Sequence, residues 1–296
     1  MTNKQENSST LNDIQLLTAS EDISKATTSI LENTLQIFLP FKRIDKTEIY
    51  KKFMKNNQIL EIETNHLEKV FVRGRLLGQI HKDILEVLMF QKKYFSMNGK
   101  NFKIKTTAYE ISKKLNKNLG KKKYILDKIK EISDCSIELV ASSNKTILFN
   151  FIDNIEINDN NEVVIEFTKA YTYFLASTNL INYSEYLDSI LEIETIKSKE
   201  LKRNINHEFI KSIVRYILTN NGKNSQISIN RLTEKLNLQS IMSQREINEG
   251  LYDLRREEVK EYLKMNFGIE LTSNSETLTF NKNKNHQFIQ TQNSLF

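Results

Sequence analysis

The chain has 296 residues, of which 39% are hydrophobic and 27% are charged, so it can form a core and remain soluble. It has a formal net charge of +6, one cysteine, and no apolar run near the roughly 20 residues of a membrane span. A single cysteine excludes an internal disulfide framework, and the polar residues 1–9 lack a signal peptide's apolar stretch. We therefore expect a cytoplasmic protein, with no membrane partner and a length that suits two domains.

Positive charge is concentrated in two stretches of the sequence. Residues 98–130 contain eleven lysines and two acidic residues, and residues 197–245 contain ten basic residues and three acidic ones. Two separate basic stretches predict two surfaces that face a polyanion such as double-stranded DNA. The alternative is that these lysines only solubilise helical surfaces, so their placement within elements has to decide.

The first elements follow a polar N-terminal arm. This arm is assigned to residues 1–70, is weakly patterned up to about residue 35, and contains a short helix after Pro40. A helix is expected over about 76–95, because apolar residues recur every three or four positions from Leu77 to Leu88.

Two shorter helices and a set of strands come next. Thr107 and Glu110 have the spacing of a capping box, which predicts a helix that starts near residue 108. Another helix is expected over 121–133. Strand-like runs occupy 137–140, 146–152 and 163–167. Three helices followed by a β-ribbon is the order of a winged helix.

The same order recurs in the second half of the chain. A long helix is expected over 198–220, a short helix contains Leu232, and a third follows a capping box of Ser243 and Glu246. Two strands close this unit, at 267–271 and 277–280.

The repeated order predicts an α+β fold with two tandem winged-helix domains. The first domain is assigned to residues 71–180 and the second to residues 181–282, with a largely helical link over 168–194. A short C-terminal tail covers residues 283–296.

The second helix of a helix-turn-helix pair, here called the reading helix, enters the DNA major groove. In the first unit this is the helix over 121–133. Lysines at its N-terminal end oppose the positive pole of the helix dipole, a cost that bound phosphate would relieve. The predicted DNA contacts of this unit are Lys113, Lys114, Lys117, Lys121, Lys122, Lys123, Tyr124, Lys128 and Lys130. A solvated helix start is the alternative.

In the second unit the reading helix begins near Ser243. Its first residues include types that suit base edges, since Arg pairs with guanine and Gln or Asn with adenine. The predicted DNA contacts of this unit are Gln244, Arg245, Asn248 and Arg231. Much of this helix is acidic, so an ordinary amphipathic helix with internal ion pairs is the alternative.

The sequence contains no pattern that indicates catalysis. Four scattered histidines and Cys135 cannot supply a clustered zinc site. The His-x-His metal pair of nicking initiators and the GxxxxGK[ST] phosphate loop are both missing from the sequence, which disfavours a DNA-cleaving enzyme and an ATPase. We expect a binding protein without metal or cofactor, in which Cys135 is a small core residue.

Two stretches resemble the iteron-binding plasmid replication initiators, the TrfA-like and RepA-like proteins. One is residues 81–88 (HKDILEVL) with the basic helix 121–129, and the other is residues 187–218, so that the resemblance spans about 76–280. It implies a tandem winged-helix protein that binds direct DNA repeats and opens adjacent AT-rich DNA with host initiator and helicase. It also implies dimers that repress their own gene. A winged-helix transcription regulator is the alternative.

The sequence QNSLF at 292–296 is similar to the short motif with which bacterial proteins dock on the replicative sliding clamp. The matching residues are Gln292, Ser294, Leu295 and Phe296. Asn293 stands where leucine is usual. In that mode the glutamine hydrogen-bonds in one pocket, and the last two side chains fill an apolar one. The alternatives are chance similarity or packing of the two apolar residues on the second unit.

Overall fold

A computed structural model describes residues 25–64, 67–90, 95–98, 101–115, 122–141, 146–158, 162–199, 204–219, 226–272, 276–280 and 287–289, together with Ile23 and Asn274. The fold is mixed α/β, with helices and strands alternating along the described chain.

The α-helices of the described residues are α1 (Ile30–Thr34), α2 (Glu48–Lys55), α3 (Gln79–Phe90), α4 (Ala108–Lys114), α5 (Lys122–Ser133), α6 (Lys169–Ala176), α7 (Leu187–Glu192), α8 (His207–Thr219), α9 (Ile229–Lys235), α10 (Leu238–Ile241), α11 (Gln244–Leu254) and α12 (Glu257–Phe267).

The strands are β1 (Thr28–Ser29), β2 (Phe38–Leu39), β3 (Ile59–Ile62), β4 (Lys69–Arg73), β5 (Leu77–Gly78), β6 (Phe95–Asn98), β7 (Asn101–Thr107), β8 (Ser136–Val140), β9 (Thr146–Asn150), β10 (Ile152–Ile157), β11 (Glu162–Phe167), β12 (Leu180–Asn182), β13 (Gln226–Ser228), β14 (Ile269–Leu271), β15 (Thr277–Phe280) and β16 (Gln287–Ile289).

The first unit consists of α3, α4 and α5 with a four-stranded antiparallel sheet in the order β10-β11-β7-β6. The predicted capping box starts α4, since Thr107 Oγ1 accepts from the Glu110 backbone N–H and the Glu110 carboxylate accepts from the Thr107 N–H. The apolar stripe of α5 is fully buried, as predicted. The strand before α4, β7, pairs with β11, which is the second strand of the β10–β11 hairpin.

A separate hairpin, β8–β9, leaves this unit and joins a second sheet in the order β3-β4-β8-β9. The single strand predicted over 146–152 is therefore wrong, because the chain bends at Phe151 and continues as β10 in the other sheet. The physical reason is the Phe151 ring, which is fully buried and packs against Phe149, Tyr171 and Phe38.

The second unit also has a strand after its first helix and a closing hairpin, in the sheet β13-β15-β14. Within the described residues, four helices lie between β13 and β14, whereas two helices and the β8–β9 hairpin lie between β7 and β10. The first helix of the second unit, α8, begins at residue 207 rather than 198, because Asn206 Oδ1 accepts from the Phe209 backbone N–H at 3.2 Å and caps the helix. Two helices of this unit, α10 and α12, were not predicted. α12 begins after Arg256, whose extended backbone (φ −65°, ψ 142°) separates it from α11, so the strand expected from residue 267 begins at residue 269.

From residue 26 onward, the N-terminal region packs into the core. The predicted arm is therefore wrong for this part of the chain. A capping box of Ser29 and Glu32 starts α1, and Phe38 and Phe53 are each 2% exposed. Apolar side chains of this region, such as Ile37, Leu39 and Ile49, are buried beside polar groups that hydrogen-bond to one another, such as Glu32 and Thr28. The boundaries of the predicted domains themselves stay a prediction.

A small sheet brings three distant parts of the chain together. β1 pairs antiparallel with β12, and β12 pairs antiparallel with β16, so the order is β1-β12-β16. The link predicted as largely helical thus contains a strand between α6 and α7. Residues 287–289 of the predicted C-terminal tail are also paired in this sheet.

Candidate nucleic-acid interface

The two helices of the first helix-turn-helix pair present part of their basic surface to solvent. Lys123 and Lys130 of α5 are exposed, as is Lys113 of α4. The Tyr124 side chain is 39% exposed, and Lys122 is half-buried. These positions remain able to meet a phosphate backbone.

Other predicted contacts in this unit already have acidic partners. Lys114 forms an ion pair with Asp188 and lies 4.4 Å from the Phe90 ring centroid, and Lys128 Nζ lies 2.8 Å from Glu131 Oε1. Cross-strand ion pairs neutralise two further lysines of the basic stretch: Lys103 with Glu166 at 2.9 Å and Lys105 with Glu162 at 2.7 Å. Lys117 and Lys121 lie outside the described residues.

Glu131 fixes the inner side of α5. Its Oε2 accepts from His81 Nε2 at 2.9 Å and pairs with Arg75 Nη2 at 3.0 Å, beside its contact with Lys128. The Gly78 backbone N–H donates to His81 Nδ1, so the proton of a neutral His81 is on Nε2. Burial alone would raise the pKa of the Glu131 carboxyl, but these hydrogen bonds hold that pKa well below its usual range.

α11 places its predicted base-reading residues on the surface. Gln244, Arg245 and Asn248 are all exposed, as is Arg231 on α9. Arg245 Nε lies 3.0 Å from Glu249 Oε1 with 88% of its side chain exposed, and Gln244 Nε2 donates to Asn248 Oδ1 at 2.9 Å. The helix therefore combines accessible polar groups with internal pairs of the kind that the alternative interpretation expects.

The second basic stretch does not lie wholly on a surface, which corrects the prediction for it. Lys211 and Arg215 of α8 are 1% and 2% exposed. Arg215 Nη1 donates to Gln79 Oε1 at 2.6 Å, and its Nη2 donates to Asp83 Oδ1 at 2.6 Å and to Glu86 Oε2 at 2.6 Å. Two of the basic residues that were predicted to face a polyanion are thus buried and paired with carboxylates.

The buried polar network continues on both sides of Arg215. Lys211 Nζ donates to Asp83 Oδ2 at 2.6 Å and to Glu194 Oε1 at 2.8 Å. Glu86 also accepts from the Tyr183 hydroxyl, whose oxygen in turn accepts from Asn33 Nδ2 at 3.1 Å. These contacts join α3 and α8 to the segment that links the two units.

A third buried carboxylate, Glu32 of α1, completes the network. It accepts from Lys82 Nζ at 2.9 Å and from the Tyr171 hydroxyl at 2.7 Å, and Lys82 also donates to Thr28 Oγ1. Burial alone would raise the pKa of the Glu32 carboxyl, but the Lys82 charge and the hydrogen bonds lower it overall. Glu32 therefore stays ionised and binds α1 to the first unit.

This network is the contact between the first helices of the two units. Lys211 and Arg215 are four residues apart on α8, and Gln79, Asp83 and Glu86 lie along one face of α3, so both sets have helical spacing. Buried charges are costly to separate once they are paired. The network consequently favours one relative placement of the units.

Candidate metal ligands do not cluster in the part of the chain that the structure describes. No group of three or more His, Cys, Asp or Glu residues there could hold a metal ion. Cys135 is fully buried, as expected, and burial raises the pKa of its thiol. Across the same residues, every helix is too short or too polar to span a bilayer.

No protein-family model and no curated protein sequence matches this chain. Among solved structures the chain is similar to the crystal structure of RctB domains 2-3, at 12% sequence identity and a TM-score of 0.37. That match covers 67% of this chain and 76% of the other. A likeness of this extent leaves the function of the chain to be argued from its own residues.

Proposed function

We propose that this protein binds double-stranded DNA through two winged-helix units and initiates plasmid replication. The observation that carries the proposal is the repeated strand order. In each unit the strand before the second helix pairs with the last strand of the closing hairpin, as β7-β11-β10 and as β13-β15-β14. A helix, a strand, further helices and a hairpin in this connection are the elements of a winged helix.

The two units would contact DNA in different ways. α5 offers exposed lysines and an exposed tyrosine, which suit phosphate and sugar. α11 offers an exposed arginine, glutamine and asparagine, which suit base edges. A division of this kind gives the first unit mainly affinity and the second mainly sequence preference.

Two reading helices in one chain favour initiation over simple repression. A single molecule with two different units can bind an asymmetric site, and asymmetric sites can be repeated in one direction as iterons. The finer parts of the proposal come from the resemblance: opening of AT-rich DNA, autorepression by a homodimer, and recruitment of host initiator, helicase and sliding clamp in a bacterial cytoplasm. We infer a binding role rather than catalysis, without a cofactor.

Footprinting of the purified chain on the DNA upstream of its own gene tests the proposal. We expect protection of direct repeats spaced by about two helical turns. An inverted repeat as the sole protected site would instead favour the transcription regulator. Incubation with supercoiled origin DNA and Mg²⁺ serves as a control, because nicked product would identify a DNA-cleaving enzyme.

A further inference from the structure

A segment rich in exposed positive charge lies before the first proposed winged-helix unit in the sequence. Residues 42–55, here called the basic N-terminal segment, contain six cations and two acidic residues. All six cations are exposed: Lys42, Arg43, Lys46, Lys51, Lys52 and Lys55. Among the described residues only Lys51 of this set forms an ion pair, with Glu48 at 2.6 Å. The charges of Lys55 and Lys52 also help to lower the pKa of the Glu48 carboxyl.

The segment holds its cations on a fixed support. Ile49 and Phe53 bury the inner face of α2 at 5% and 2% exposure, and Thr47 caps the helix by accepting from the Tyr50 backbone N–H. The preceding turn is anchored by the Phe41 side chain, which is 8% exposed. The charged side chains therefore project from a docked helix and turn.

The segment lies beside the candidate reading helix of the first unit. Lys42 and Met54 of the segment line a cavity of about 280 Å³ together with Tyr124 and Lys128 of α5. DNA that receives α5 in its major groove passes its sugar-phosphate backbone along the flanks of that helix. The flank that carries Tyr124 and Lys128 is the one that faces the basic N-terminal segment.

Helix stability alone does not account for these cations. Lys52 and Lys55 are in the last turn of α2, where the helix dipole favours positive charge. Lys46 precedes the N-terminus of the same helix, where the dipole disfavours it, and Lys42 and Arg43 lie further upstream. Phosphate binding accounts for both groups together.

We propose that the basic N-terminal segment is an additional duplex-DNA contact, which binds the phosphate backbone next to the groove occupied by α5. This inference rests on the proposed function and names a surface that the sequence assigned only to an arm. The contact would add affinity without sequence preference, because phosphates carry no base information.

A charge-matched pair of triple variants tests the contact in the full-length protein. The segment variant is Lys46→Gln, Lys52→Gln and Lys55→Gln. The control, Lys69→Gln, Lys169→Gln and Lys264→Gln, removes three exposed lysines that lie outside both basic stretches. Affinity for a mixed-sequence duplex is measured against salt, and we expect the log–log slope of the segment variant to flatten by up to about 3, with the control unchanged.

A second measurement locates the contact without any substitution. Lysine acetylation of the wild-type protein, read by mass spectrometry, should be reduced by DNA at Lys46, Lys52 and Lys55 and not at the control lysines. Equal slopes for both variants, or equal acetylation with and without DNA, would overturn the inference. A wild-type protein with no salt-dependent DNA binding would overturn the proposed function itself.

Discussion

The guanidinium of Arg215 and the carboxylate of Glu86 face each other across the contact between the two units, with Nη2 2.6 Å from Oε2 and Nε 3.0 Å from Oε1. Arg215 is 2% exposed and Glu86 is fully buried. Two parallel hydrogen bonds between planar groups fix orientation as well as distance. The pair therefore sets how α8 lies against α3.

Replacement of Arg215 should destabilise the protein strongly. Arg215→Met leaves the Glu86 and Asp83 carboxylates without their shared partner, and we expect a loss of about 3–5 kcal/mol in the free energy of unfolding. Urea denaturation measures it. Arg245→Met, which removes an 88% exposed ion pair, is the matched control and should change stability by less than about 1 kcal/mol. Similar small losses in both variants would mean that the network contributes little.

Acid should weaken the attachment of α5 through Glu131. Its pKa in the folded state lies below the ordinary value of 4.5, so its contribution to stability is present above that pH and is lost as the pH falls through the folded-state value. We expect Glu131→Gln to reduce stability at neutral pH and to make the decline in acid shallower. Urea midpoints across the acid range measure both effects, and parallel profiles for the two proteins would contradict the assignment.

The exposed lysines of α5 should determine much of the salt dependence of DNA binding. Lys123→Ala with Lys130→Ala should flatten the log–log slope by up to about 2. The double variant Lys103→Ala with Lys105→Ala is the control, because those two lysines are paired with carboxylates across the sheet. Fluorescence anisotropy across a salt series provides the slopes. A control that flattens as much would show that the slope reports overall charge.

Arg245 should contribute to sequence preference rather than to general affinity. Arg245→Ala should change base preference at one position by about 1–3 kcal/mol if the guanidinium binds a base edge in a bidentate manner. Selection from a randomised duplex library measures preference. Arg231→Ala is the comparison on the neighbouring α9. A loss of affinity with an unaltered preference would remove α11 from the base-reading role.

The C-terminal residues should bind the host sliding clamp. A peptide covering residues 287–296 is expected to bind the clamp, and the same peptide with Leu295→Ala and Phe296→Ala is expected to lose that binding, because those side chains would fill the apolar pocket. Isothermal titration measures both affinities. Equal binding, or none with either peptide, would discard the motif. Residues 290–296, which include the motif, lie outside the described part of the chain.

The sequence predicted those helices that a capping box or a periodic apolar stripe marks within their own residues. The capping boxes at Thr107 and Ser243 and the apolar stripe of α5 were all confirmed, because cap residues and 3.6-residue periodicity act within one or two turns. α12 was missed because Arg256 interrupts the helix by a backbone conformation that its residue type does not signal.

Long-range partners explain the larger differences. Lys211 and Arg215 look like surface cations in sequence, and only the carboxylates of α3, more than a hundred residues earlier, make their burial possible. Likewise, β8 is recognisable as a strand, but nothing in its own residues indicates that it pairs with β4 rather than with β10. Of the predicted site, the structure leaves the exposed residues of α5 and α11 as candidates and gives Lys114 and Lys128 acidic partners.

The pairing of β16 with β12 limits how far a partner that binds the residues after β16 can move from the sheet. β16 ends at Ile289, seven residues before Phe296, and seven extended residues span at most about 25 Å. A partner docked on residues 292–296 would therefore stay within that radius of a sheet that also includes β1. So short a tether would raise the local concentration of the partner beside the units proposed to bind DNA.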